Sequence, residues 1–99
     1  MEVPLEVLRG TIEALELAEA VALRGNRNSL SDAGVAALMA KACAEGAYYN
    51  VKINLPGLTD KEYVRKTLTE ADDILKQARS KTAEIAAIVE KALNDGLKA

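Results

Sequence analysis

Seven polar residues, in two short clusters, carry whatever chemistry this chain performs: Asn28, Ser29, Ser31 and Asp32, then Asn50, Lys52 and Asn54. Asp32 is a carboxylate just after a loop dense in Asn and Ser. It suits the first turn of a helix, where it complements the positive end of the dipole. Held beside a ligand instead, it would face a cationic centre. Ser31 reads as the cap of that helix, its hydroxyl accepting from the free N–H groups of the first turn. Ser29 and Ser31 are better caps than nucleophiles, because the chain has no histidine to activate them. Asn50 and Asn54 stand four apart, on one helical face. They can satisfy backbone groups at a helix end, or their amides can hydrogen-bond a flat heterocycle. Lys52 between them is by default a solvated charge.

Between the clusters the chain is almost all small: Ala33, Gly34, Ala36, Ala37, Ala40, Ala42, Ala44, Gly46 and Ala47. Small side chains let helices approach closely, so this helix is expected to lie buried among neighbours, with Cys43 as a small core residue. Its expected span is 31–54, ended by Pro56-Gly57. The run Tyr48-Tyr49-Asn50-Val51 has strand propensity, but there is no second strand candidate for it to pair with.

The helices on either side are plainer. Leu5, Leu8, Ile12, Leu15 and Ala18 recur at helical spacing behind Pro4, and Gly25 is a natural stop, which predicts a first helix over 4–24. Arg9 can pair with Glu6 and Glu13 on its polar flank. Thr59 or Asp60 caps a third helix over 60–94. Its apolar stripe (Val64, Leu68, Ala71, Leu75, Ala78, Thr82, Ile85, Val89, Ala92) holds a heptad spacing. Such a helix is about 50 Å long. A compact globule of this size has a radius of gyration of only about 13 Å. The helix is therefore expected to protrude, or to lie against another chain.

Composition narrows the class. Nearly half the residues (49%) are hydrophobic, yet there is no Phe or Trp, so the core must come from Ala, Leu, Val and Ile. The fold expected is all-α, a multihelical array with one long helix, packing in an oligomer. A chain of this length buries only about 60–65% of its unfolded surface, a thin margin that association would widen. With a net charge of -2 and mixed signs, the chain lacks the basic patch that nucleic acid or an anionic membrane would require. No apolar run has spanning length, and Met1-Glu2-Val3-Pro4 is no secretory signal. The single cysteine cannot form an internal disulfide, and a reducing cytoplasm is the expected compartment.

Two ungapped motifs, G-N-x-N-S-x-S-D-A-G-V-A-A-L from Gly25 and G-A-x-x-N-V-x-I-N-L from Gly46, resemble the formiminotransferase-cyclodeaminase family, in its cyclodeaminase / methenyltetrahydrofolate cyclohydrolase domain. The resemblance extends over essentially the whole chain, as a single helical half-domain of 1–99. The family domain is longer, and its N-terminal half with a Pro-Gly-Gly-Gly-Ser segment has no counterpart here. The resemblance implies a one-carbon tetrahydrofolate as substrate and no metal or redox cofactor. Asp32 would be the catalytic carboxylate beside an amidinium-like carbon. Asn50 and Asn54 would hold the pterin and Lys52 would meet the glutamate tail, with Asn28, Ser29 and Ser31 around them. The expected partners are a folate and a second copy (most simply a homodimer), or else a separate N-terminal half. The other reading is a half-domain whose role is helical association alone.

Overall fold

The computed structural model describes residues 2–25 and 27–98. Three helices run in sequence: α1 (Glu2–Leu23), α2 (Arg27–Asn54) and α3 (Lys61–Lys98), with a 3-10 turn at Leu55–Gly57. No strand occurs among the described residues. The molecule is a slender bundle of 60 × 16 × 15 Å. α1 and α3 run parallel, as Arg9 meets Glu70 and Glu19 meets Lys81. α2 runs against both, since Tyr48 meets Asp72 while Gly34 meets Val89.

Each helix ends for a local reason. α1 stops at Gly25, whose φ of 70° an L side chain would resist. There the N–H of Gly25 donates to the Ala22 carbonyl at 3.2 Å. Pro56 forces the tight turn after α2, and Asp60 caps α3, its Oδ1 accepting from the Tyr63 N–H at 3.0 Å.

α2 begins four residues earlier than the capping rule suggests, so Ser31 is not its cap and Asp32 lies in its second turn. The reason is Leu30. Its side chain is buried and opens a seam that continues through Ala33, Ala37, Ala40, Ala44, Ala47 and Val51. Burying Leu30 in that register requires a helical turn around it. α3 likewise runs past Asn94 and Gly96 to Lys98. Gly96 takes ordinary helical φ, a cost of about 1 kcal/mol that the continuing helix absorbs.

The core is a three-way seam of Leu5, Leu8 and Leu15 from α1, the alanines of α2, and Ala71, Leu75, Ala78, Ile85 and Val89 from α3. The stripe of α3 is thus met by α1 and α2 of its own chain. The elongated bundle takes the place of the compact globule against which a helix of this length had to protrude. Thr82, within the stripe, is buried with its hydroxyl donating to the Ala78 carbonyl at 2.7 Å. Arg9 pairs neither Glu6 nor Glu13. It reaches across to α3, its Nε and Nη2 donating to the two Glu70 carboxylate oxygens at 2.7 and 2.9 Å. Glu70 thus ties α3 to α1, and Asp72 ties it to α2 by accepting from the Tyr48 hydroxyl.

Candidate functional site

The outer face of α2 is open. Val35, Leu38, Met39, Tyr49 and Ile53 are all more than half exposed, and Cys43 is exposed with them. The expectation of a helix buried among neighbours holds for its seam. Ala40, Ala44 and Ala47 take the core positions and leave Cys43 on the other side.

Asp32 is exposed at the edge of an open groove of about 330 Å³ between α1 and α2. Ala14, Leu17, Ala18 and Val21 form one wall, and Ala33 and Ala36 the other. Among the described residues, Asp32 is the only charged one lining it. An apolar trough with one carboxylate at its rim suits a flat organic ligand bearing a positive centre. Beside Asp32 on α2, Ser31 and Asn28 are exposed and Ser29 is half-buried, and among the described residues none of these three lines the groove.

The second cluster lies elsewhere. Asn50 and Asp32 are eighteen positions apart on one continuous helix, about 27 Å along its axis. Within one chain the two clusters do not meet. Asn54 donates its amide to the Asn50 carbonyl at 2.7 Å, the role of closing a helix end. Lys52 sits over the Tyr48 ring, its Nζ 5.7 Å from the centroid. Tyr48 in turn donates to Asp72 at 2.5 Å, and that bond, more than burial, raises its pKa. Of this cluster, Asn50 keeps an exposed side chain with no internal bond among the described residues.

The α1 wall of the groove is the part that polar motifs do not announce. Its signal is a second apolar stripe on α1 (Val3, Val7, Gly10, Ala14, Leu17 and Val21), spaced 4, 3, 4, 3 and 4 beside the core stripe. Among the described residues, no three of His, Cys, Asp and Glu come together as a metal site, and no helix is long and apolar enough to cross a membrane.

Fold and site together define an all-helical protein with an acid-rimmed apolar groove on an antiparallel helix pair. The chain belongs to the formiminotransferase-cyclodeaminase family, whose sequence profile matches residues 1–73. It is 39% identical over 93 residues to a methenyltetrahydrofolate cyclohydrolase of Methylorubrum extorquens, covering 94% of this chain and 45% of that protein. It is 37% identical over 71 residues to the formimidoyltransferase-cyclodeaminase of Gallus gallus, covering 72% of this chain and 13% of that one. The Rattus norvegicus protein of the same name is 33% identical over 81 residues, or 82% of this chain and 15% of its own length. The chain thus spans about half of the bacterial relative and a small part of the vertebrate ones. No solved structure matches it significantly.

Proposed function

We propose that this chain serves one-carbon tetrahydrofolate chemistry, as the half-site that supplies the carboxylate. The observation that carries this reading is Asp32: it lies inside the matched segment and, among the described residues, is the one charge on the rim of the apolar groove. Two reactions fit. In the first, water adds to the amidinium carbon of 5,10-methenyl-tetrahydrofolate, one C–N bond breaks, and 10-formyl-tetrahydrofolate results. In the second, 5-formimino-tetrahydrofolate closes to the methenyl compound and releases ammonia. Both pass through a cationic carbon that Asp32 would stabilise while orienting water or relaying a proton. The Methylorubrum extorquens relative, matched over 94% of this chain, is named for the hydrolysis, which favours the first.

Asn28, Ser29 and Ser31 would border the reacting end, and Asn50 would bind the pterin edge. Lys52 and Asn54, engaged with Tyr48 and with the Asn50 carbonyl, are secondary. Acid–base and charge effects suffice for this chemistry without a metal or redox group. We place the protein in the cytoplasm and, because one chain separates Asp32 from Asn50, as an oligomer.

The test follows the methenyl-folate absorbance as it decays in the presence of the purified chain. Asp32→Asn keeps the shape and removes the charge, and should slow turnover by about 10²-fold or more. If wild type and variant both match the uncatalysed rate, the catalytic reading falls and helical association is what remains.

A further inference from the structure

The first turn of α2 is held from beyond the main core. Among the described residues, the contiguous core stops at Ala33 on α2 and at Val89 on α3. Leu30 is buried nonetheless, and not within that core. It shares a shallow cavity of about 280 Å³ with Ala92, Leu93, Gly96 and Leu97 at the end of α3. Those last turns of α3 are thinly supported. Glu19 pairs with Lys81, so Leu23, four residues further along the parallel helices, stands level with Ile85. α3 runs on for about three turns past that level. Two poor helix formers, Asn94 and Gly96, fall in this stretch, while Leu93 and Leu97 keep much of their surface exposed.

The sequence also offers α2 a second place to begin. Ser31 followed by Asp32 satisfies the capping rule, with the Ala33 and Gly34 N–H groups as the donors that a Ser31 cap would accept. In the helix as it stands, the Ser31 hydroxyl is exposed and unbonded among the described residues. The N–H groups of residues 31–34 are taken by the carbonyls of residues 27–30, four positions back in the ladder. The two starts treat Asp32 differently. With 27–30 helical, its carboxylate meets no free amide of its own helix and can face the groove. With α2 starting at Ser31, the amides of Asp32, Ala33 and Gly34 lose their carbonyl partners, and a carboxylate in that first turn is drawn to them.

Resting on the folate reading above for the ligand of the groove, we infer that Leu30 and Leu93 are positioning residues for Asp32: the end of α3 latches the first turn of α2 in helical form and so keeps the carboxylate free. Release leaves the bundle standing, because the latch lies wholly beyond Ala33 and Val89.

Amide hydrogen exchange, followed residue by residue in the full chain by NMR, tests the latch without folate. Residues 31 and 32 should be protected in wild type, though far less than Ala40 and Ala44 in the core. Leu93→Ser should lower that protection about tenfold, the effect of losing a half-buried leucine. Asn94→Ala should raise it about twofold by strengthening the end of α3. Within the Leu93→Ser background, Ser31→Ala should recover about tenfold, because the released start then lacks its cap. Ser29→Ala, with the same gain in helix propensity and no cap to lose, should recover only about twofold. Asp32→Asn should recover about threefold, because release no longer captures a charge at the helix end. Protection that Leu93→Ser leaves unchanged, equal recovery by the two alanines, or no recovery with Asp32→Asn would overturn the inference. A chain that latches in this way yet leaves methenyl-folate at its uncatalysed rate would fail the folate reading alone.

Discussion

Gly34 of α2 rests against Val89 of α3 so closely that a Cβ added to the glycine would stand 3.2 Å from Val89 Cγ1. This contact fixes the α2–α3 spacing two residues from Asp32, within the D-A-G-V segment of the family motif. Glycine inside a helix costs about 1 kcal/mol relative to alanine, so the position trades helix stability for proximity.

Gly34→Ala should accordingly change stability little, the gain in helix propensity being offset by crowding against a β-branched side chain that is stiff at χ1. With Val89→Ala already present, Gly34→Ala should recover its full gain of about 1 kcal/mol. Denaturant unfolding of the four chains in this cycle measures the difference. Equal effects in both backgrounds would show that the contact does not constrain the helices.

Much of this fold was legible because it is written in periodicity. The stripe from Val64 to Ala92 and the Leu5–Leu15 series mark the buried faces of α3 and α1 directly. The start of α2 was not legible, because Ser31 satisfies the capping rule locally and only tertiary burial of Leu30 overrides it. Arg9 misled for a similar reason: a sequence displays partners three or four residues away, whereas its partner is Glu70 on another helix. Cys43 reads as a core residue because Ala40, Ala42, Ala44 and Ala47 surround it in sequence, which conceals which side faces in. For the site, the motif located the residues but not their distances. One continuous helix from Leu30 to Asn54 already separates Asp32 from Asn50 by about 27 Å.

The Arg9–Glu70 pair carries a pH dependence of definite sign. The bond from Arg9, reinforced by its charge, holds the Glu70 carboxyl below its ordinary range, against a smaller opposing effect of burial. A depressed folded-state pKa gives stability that is present above the unfolded carboxylate value of about 4.3 and lost as pH falls through the folded one. Glu70→Gln should therefore lower stability at neutral pH and flatten the acid limb of the unfolding profile. An unchanged acid limb would mean that the pair contributes nothing in solution.

Ile85 and Leu75 belong to the core of the single chain, where α1 and α2 cover them. Ile85→Glu should abolish folding at any protein concentration, because it buries a charge without a partner. Ile85→Ala should cost about 2–5 kcal/mol while leaving the oligomeric state of the folded fraction unchanged. Thermal melts at several concentrations, together with sedimentation, separate these effects. A changed oligomeric state in folded Ile85→Ala would place this side chain at a contact between chains instead.

The two asparagines that look equivalent in sequence should part company by function. Asn54 spends its amide on the Asn50 carbonyl, so Asn54→Ala should lower stability by about 1 kcal/mol or less and leave folate affinity nearly unchanged. The Asn50 side chain is exposed. Under the proposed function it binds the pterin, and Asn50→Ala should weaken folate binding by about 1–3 kcal/mol with the melting temperature held. Titration of each variant with methenyl-tetrahydrofolate, followed by calorimetry, gives both affinities directly. Equal losses for the two variants would show that the helix end, and not the Asn50 amide, is what the ligand senses.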